Sequence, residues 1–114
     1  MPAAFVSDPA RRVEIARTIL SQLPEWFGIP AATEGYITDA AHEPCFVCEK
    51  DGAPVGFLCL KETGRSTVEL AVMGVLKPCH RKGYGRALVD AAVAYARQTG
   101  YEFMQVKTVQ MGEY

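Results

Sequence analysis

Nowhere does this chain run to the roughly eighteen consecutive apolar residues that a membrane-crossing helix requires, and neither sign of charge predominates. With 12 Lys and Arg against 13 Asp and Glu, the formal net charge of −1 gives no basis for nucleic acid or a membrane surface as partner. The opening MPAAFVSDPARR lacks the basic region, apolar stretch and small-residue cleavage site of a secretion signal, so a soluble cytoplasmic chain is expected. Internal repeats, low-complexity tracts and linkers are also missing. The 114 residues therefore read as one domain, 1–114, with a single core.

Cysteine is sparse. Cys45, Cys48, Cys59 and Cys79 in a reducing compartment are expected to be thiols. Cys45 and Cys48 have the spacing of half a zinc site, but residues three apart on a strand point to opposite faces, and no metal is expected.

What is present falls into two halves. Ser7-Asp8-Pro9 starts a helix, because Asp8 can accept from a free backbone amide and Pro9 has no amide to leave unpaired. Val13, Ala16, Leu20 and Leu23 follow at helical spacing, and Pro24 and Gly28 end the run. Pro30 opens a second helix through about Ala41, with Ala32, Tyr36, Ile37 and Ala40 as its buried side. Trp26, Phe27 and Tyr36 read either as the lining of an acceptor pocket or as packing around these helices. From Cys45 the pattern turns to β-branched and aromatic runs. Asp51-Gly52 marks a hairpin, Gly64-Arg65-Ser66 a second turn, and TVELAVMGVL a third strand, making an antiparallel meander. Gly74 inside that strand predicts a bulge.

Gly83 to about Thr99 reads as a long helix with one polar stripe, Arg86, Asp90 and Arg97. Leu88, Val89, Ala91, Ala92, Val93, Tyr95 and Ala96 predict burial over the rest of its surface. Gly100 closes it, and FMQVKTV forms a last strand parallel to TVELAVMGVL, because a helical crossover joins the two. The fold class is α/β with a mixed sheet.

Between the third strand and the long helix stands HRKGYGRAL. The first amides of a helix have no internal partners and carry partial positive charge, glycines permit close backbone approach, and Arg81, Lys82 and Arg86 add charge. The stretch reads as a diphosphate cradle or, more plainly, as a glycine turn with solvated bases. A Walker loop is excluded by the absence of its terminal Lys-Ser/Thr, and a dinucleotide fingerprint by Leu88 and the antiparallel strands upstream.

His80-Arg81-Lys82-Gly83-Tyr84-Gly85, set in this order of elements, resembles the acetyl-CoA signature of the Gcn5-related N-acetyltransferase (GNAT) family, Gln/Arg-x-x-Gly-x-Gly/Ala. His80 stands where the family has Gln or Arg; it is either a donor to the coenzyme or a polar turn residue. The resemblance implies an acyl-CoA N-acyltransferase-like fold and acetyl transfer to a primary amine of a small molecule or protein, with acetyl-CoA as cosubstrate. It also implies that backbone amides from Arg81, Lys82, Gly83, Tyr84, Gly85 and Arg86 hold the pyrophosphate. The backbone of Met73, Val75, Leu76 and Lys77 would line the pantetheine arm, with an amide near Met73 or Val75 facing the oxyanion. Glu69 stands at the family's general-base position, where it is either that base or a carboxylate on a half-exposed strand.

The family normally continues with a further helix and two strands, whereas this sequence ends at MGEY, so a domain truncated at its C-terminus is expected. Tyr114 is then a poorly held candidate for the acid that protonates the leaving thiolate. A homodimer through the exposed last strand, by edge pairing or strand exchange, would cover the open side. The rival readings are a CoA-binding module without turnover and an interaction domain that recruits a partner by edge pairing.

Overall fold

The computed structural model describes residues 3–25 and 27–106. In chain order these form strand β1 (Ala4–Val6), helix α1 (Pro9–Leu20), and helix α2 (Pro30–Asp39) with a 3-10 turn (Ala40–His42). Strands β2 (Cys45–Lys50), β3 (Ala53–Gly64) and β4 (Thr67–Val75) follow, then a 3-10 turn (Lys77–Cys79), helix α3 (Tyr84–Gln98) and strand β5 (Phe103–Gln105). The sheet order is β1-β2-β3-β4-β5, antiparallel until β5, which runs parallel to β4. This is the mixed α/β architecture expected, with one addition. A strand precedes the helices, and its three residues are too few to display an alternating pattern in the sequence.

Alternation along the strands divides the core into two layers. Phe57, Cys59 and Val72 face α1 and α2, packing with Ile15, Ile19, Leu20 and Ile37. Leu58, Leu60, Val68 and Val75 face α3, packing with Leu88, Ala92 and Ala96. Cys45 and Cys48 fall in different layers, as period two requires.

Local signals place most elements. The Asp8 carboxylate accepts from the Ala10 amide at 3.1 Å, with Pro9 at the first helical position. Asp51 (φ 54°) and Gly52 (φ 80°) both adopt the left-handed conformation of a primed turn, joining β2 to β3.

Other expectations are corrected. Helix α1 ends at Leu20, short of Pro24, and Leu23 reaches the core from the turn beyond it. Ala32 and Tyr36 on α2 are exposed, leaving Ile37 and Ala40 as the residues it buries, because α2 touches the domain along a narrow strip. Helix α3 buries Tyr84, Leu88, Ala92 and Ala96, one residue per turn, and the rest of its apolar surface is half-covered or exposed because the sheet contacts a single face.

The predicted thiols are corrected too. Cys45 and Cys59 stand opposite each other in the β2–β3 register with Cα atoms 4.3 Å apart, and they are joined as a disulfide. Cys48 and Cys79 are buried thiols. Register brings the pair together, and register is not visible in cysteine spacing.

The bulge lies at a different residue from the one expected. Cys59 pairs with Val72 and Leu60 with Leu70, so Ala71 is the extra residue, while Gly74 pairs regularly with Phe57. Gly74 answers to packing instead. A Cβ there would stand 3.2 Å from Ile19 Cγ2 and Leu23 Cδ1 and 3.3 Å from Phe57 Cε1. Gly74→Val is therefore expected to cost about 1–3 kcal/mol by overpacking this layer, measured as a lowered urea midpoint with an unchanged denaturant slope.

Candidate active site

Strand β4 has neighbours on both sides. β3 accompanies it from Thr67 to Val75, while β5, as far as it is described, matches only Thr67, Val68 and Glu69. The described pairing of the two parallel strands ends at Glu69. The Leu76 amide donates to Val55 O at 2.8 Å, so the Val75 carbonyl across the same peptide plane points away from β3. By alternation the backbone groups of Met73 face the same way. Leu76 is turned the other way, with its amide committed to β3. Lys77 begins the 3-10 turn, and its ammonium is paired with the Glu25 carboxylate, which ties this end of β4 to the segment between α1 and α2.

His80 closes over the strand end, its Nε2 2.6 Å from Val75 O. A carbonyl can only accept, so Nε2 carries the proton in this contact. The imidazole therefore holds the turn against β4 and covers one of these outward carbonyls.

Arg81 (φ 63°) and Gly83 (φ 88°) take left-handed conformations, and Gly83 is the N-cap of α3 without a side-chain cap bond. Ala87 donates to Gly83 O, the first bond of the helix, so the amides of Tyr84, Gly85 and Arg86 lie in the turn that has no intrahelical acceptors. Tyr84 is buried and anchors this turn against the sheet. Lys82 and Arg86 are exposed around it, Arg86 with a long 3.9 Å pairing to Asp90. At Gly85 an added Cβ would meet no atom within 4 Å. Internal packing gives no reason for that glycine, whereas close approach of an anionic group to the helix start does.

Glu69 is half-buried, opposite Lys61 on β3 and Gln105 on β5. Its neighbour Val68 faces α3, so Glu69 projects to the α1–α2 side. Glu69, the outward backbone of Met73 and Val75, and the start of α3 thus lie in sequence along the side of β4 that faces away from β3. Phe27 is buried and meets the Tyr36 ring edge-on at 6.2 Å, as a packing contact between the helices; Trp26 and Tyr114 lie outside the described residues.

A five-strand mixed sheet whose last strand runs parallel to the fourth, with a glycine-lined turn leading into the crossover helix, is the architecture of the acyltransferase class. A model of the acetyltransferase (GNAT) family matches residues 5–112, and the chain belongs to that family, a family of N-acetyltransferases. The fold is similar to that of a ribosomal-protein-alanine N-acetyltransferase from Brucella melitensis biovar Abortus 2308, with a TM-score of 0.75 at 15% identity over 97% of this chain and 82% of that one. It is also similar to an IAA acetyltransferase from Bacillus cereus ATCC 14579, with a TM-score of 0.73 at 21% identity over 95% and 67%. A third similar structure is the aminoglycoside N-acetyltransferase AAC(6')-Iy in complex with a CoA bisubstrate analogue, with a TM-score of 0.70 at 20% identity over 96% and 82%. No curated protein matches the sequence.

One titratable group escaped sequence reasoning. Glu43 is only 8% exposed, and burial first, then the Asp39 carboxylate, push its carboxyl up to about 7 from an ordinary 4.5, against the opposing pull of Lys61. A glutamate before a proline in a polar stretch carries no sign of burial. The folded state holds this proton more tightly than the unfolded chain, so its contribution to stability is complete below pH 4.5 and is lost as pH rises through about 7. Glu43→Gln should therefore stabilise the protein at pH 8, by at most roughly 3 kcal/mol, with the gain vanishing near pH 5; urea unfolding at the two pH values measures it.

Proposed function

We propose that this protein transfers an acetyl group from acetyl-CoA directly to a primary amine. The observation that carries this reading is the combination at the end of β4: outward-facing backbone of Met73 and Val75 leading into the uncapped start of α3, where Gly85 leaves open space. The amides of Tyr84, Gly85 and Arg86, with Arg81 and Lys82 beside them, suit a pyrophosphate. Met73 and Val75 suit the amide groups of a pantetheine arm lying along β4 as an added strand. When bound, acetyl-CoA supplies the acetyl group as a thioester beside the outward backbone of β4.

The remaining chemistry belongs to the chain. An amine that arrives as ammonium must lose a proton before it can attack, and Glu69 accepts it directly or through a water molecule. The amides of Met73 and Val75 are fixed by the β3–β4 ladder, so no reorganisation is needed for one of them to donate to developing negative charge. Which amine is the natural acceptor depends on the surface above Glu69, to which α1, α2 and their connection contribute.

An interaction through β5 is favoured by a separate observation: Phe103 and Val106 are 62% and 61% exposed at the outer edge of the sheet. Pairing with a second copy along this edge would cover both. The cytoplasm, where acetyl-CoA and amines meet, fits the proposed chemistry.

Coenzyme A should raise the melting temperature of the parent protein. Gly85→Val should leave the uncomplexed melting temperature nearly unchanged and weaken coenzyme A binding at least about tenfold in calorimetry. Glu69→Gln should keep that affinity and lower kcat by about 10²–10⁴-fold, measured as thiol release with a panel of amines. Undiminished turnover in Glu69→Gln rejects the base assignment, and unaltered coenzyme binding in Gly85→Val rejects the cradle. Phe103→Lys should shift the sedimentation equilibrium toward monomer.

A further inference from the structure

A second concavity lies on the other side of β3. Strand β2 begins at Cys45, opposite Cys59, so Leu60 to Gly64 of β3 extend beyond the end of their neighbour. The chain leaving α2 crosses this overhang, and Pro44 O accepts the Leu60 amide at 2.9 Å. Between the overhang, the crossing segment and the α3 side is a cleft of about 550 Å³ whose polar lining includes Asp39, Glu43, Lys61, Glu62, Tyr95 and Tyr101. It borders the edge of β3 that faces β2, whereas the site described above borders the edge of β4 that faces β5.

Glu43 sets this cleft apart from a solvated acidic surface. The residue is more than nine-tenths buried, and no hydrogen bond or ion pair reaches its carboxyl among the described residues. No fully buried side-chain oxygen among those residues lacks a partner, so the Glu43 oxygens must open into the cleft they line. A buried carboxyl left without a protein partner but facing a cavity is matched to something that enters it.

The surroundings indicate what enters. Asp39, Glu43 and Glu62 outnumber the single ammonium of Lys61, which favours a cation. Among the described residues no three His, Cys, Asp or Glu side chains converge as ligands of a metal ion would. The carboxyls are instead spread around a space large enough for an organic body, with Leu60 and Val68 as apolar wall. Tyr95 and Tyr101 add ring faces of the kind that attract ammonium groups. Both are held in place: the Tyr95 ring stacks on Phe5 at 5.6 Å, and the Tyr101 hydroxyl donates to Glu62 at 2.7 Å. The cleft is thus pre-shaped without its occupant.

We infer that the cleft between the β3 overhang and the Asp39–Pro44 segment binds a small organic ammonium, with Glu43 as its buried counter-ion, independently of the acetyl-transfer site. The groups facing Glu43 are Asp39 from α2, His42 from the following turn, Lys61 and Glu62 from β3, Tyr95 from α3 and Tyr101 from the loop after it. The empty cleft holds a proton on Glu43 near neutrality, and a bound cation displaces it, so affinity rises with pH.

Titration of the full chain with pentylammonium, followed by amide NMR at pH 6 and pH 8, tests this. Expected are shifts centred on the amides of Asp39, His42 and Glu43, with binding about tenfold tighter at pH 8 as Glu43 ionises. Asp39→Asn, an exposed change that leaves the core untouched, should weaken binding severalfold. Glu43→Gln should abolish binding while keeping a cooperative melting transition and a dispersed amide spectrum, which show that the variant is folded. 1-Pentanol, with the same apolar stem and no charge, should leave the cleft amides unshifted. Equal shifts with 1-pentanol, undiminished binding in Glu43→Gln and Asp39→Asn, or shifts confined to residues around Glu69 would each overturn the inference. An unresponsive acetyl-transfer site would not, because the readout and the variants belong to a different edge of β3.

Discussion

The outward-facing backbone at the end of β4, turned away from β3, is the constraint from which the rest follows. A strand inside a sheet must satisfy its backbone groups on both sides. β3 does so on one side along the whole of β4, but the described part of β5 does so on the other only as far as Glu69. The outward groups at Met73 and Val75 face away from β3 and find no partner in the described part of β5. His80 covers the Val75 carbonyl, and an extended ligand with its own amides is the complementary guest for the remainder. Glu69 stands at the last described β4–β5 pair, and the short turn after β4 brings the start of α3 next to the end of the strand.

Tight packing behind β4 keeps this arrangement rigid. Gly74 lets Ile19 and Leu23 of the α1 layer press directly on the strand, and Gly56 on β3 does the same for Leu88 of α3, whose Cδ1 would stand 3.2 Å from an added Cβ. Two glycines on adjacent strands thus bring both helical layers close to the sheet, so the polar edge of β4 is presented by a dense core. Gly83 and Gly85, only nine and eleven positions beyond Gly74 in the chain, serve a different end. One supplies a left-handed turn and the other leaves space outside the protein's own packing. Identical residues therefore carry opposite meanings, which only their surroundings distinguish.

Much of this was legible in the sequence, and the unread parts share one cause. Asp8-Pro9, Asp51-Gly52 and the HRKGYG turn announce themselves because their signals are local: a cap, a pair of positive φ values, a helix start. The meander and the parallel return followed from alternation and from the crossover helix. Misread features depend on cross-strand register. The bulge is at Ala71 and not at Gly74, Cys45 faces Cys59 and forms a disulfide, and β1 takes its place by pairing with β2. The half-exposed flanks of α3 and the exposed Ala32 and Tyr36 of α2 were read as buried because hydrophobicity predicts what can be covered, whereas the sheet's extent sets what is covered.

By itself the sequence determined the order of elements from α1 onward, the chemistry of the turn before α3 and the family to which the chain belongs, since each rests on residues adjacent in the chain. Tertiary structure alone decided which backbone groups of β4 face away from β3, which glycines yield to packing, and that Glu43 is buried beside a cleft. The physical reason is that burial and backbone satisfaction are properties of distant segments brought together. A glutamate followed by proline reads the same whether water or an overhanging strand surrounds it.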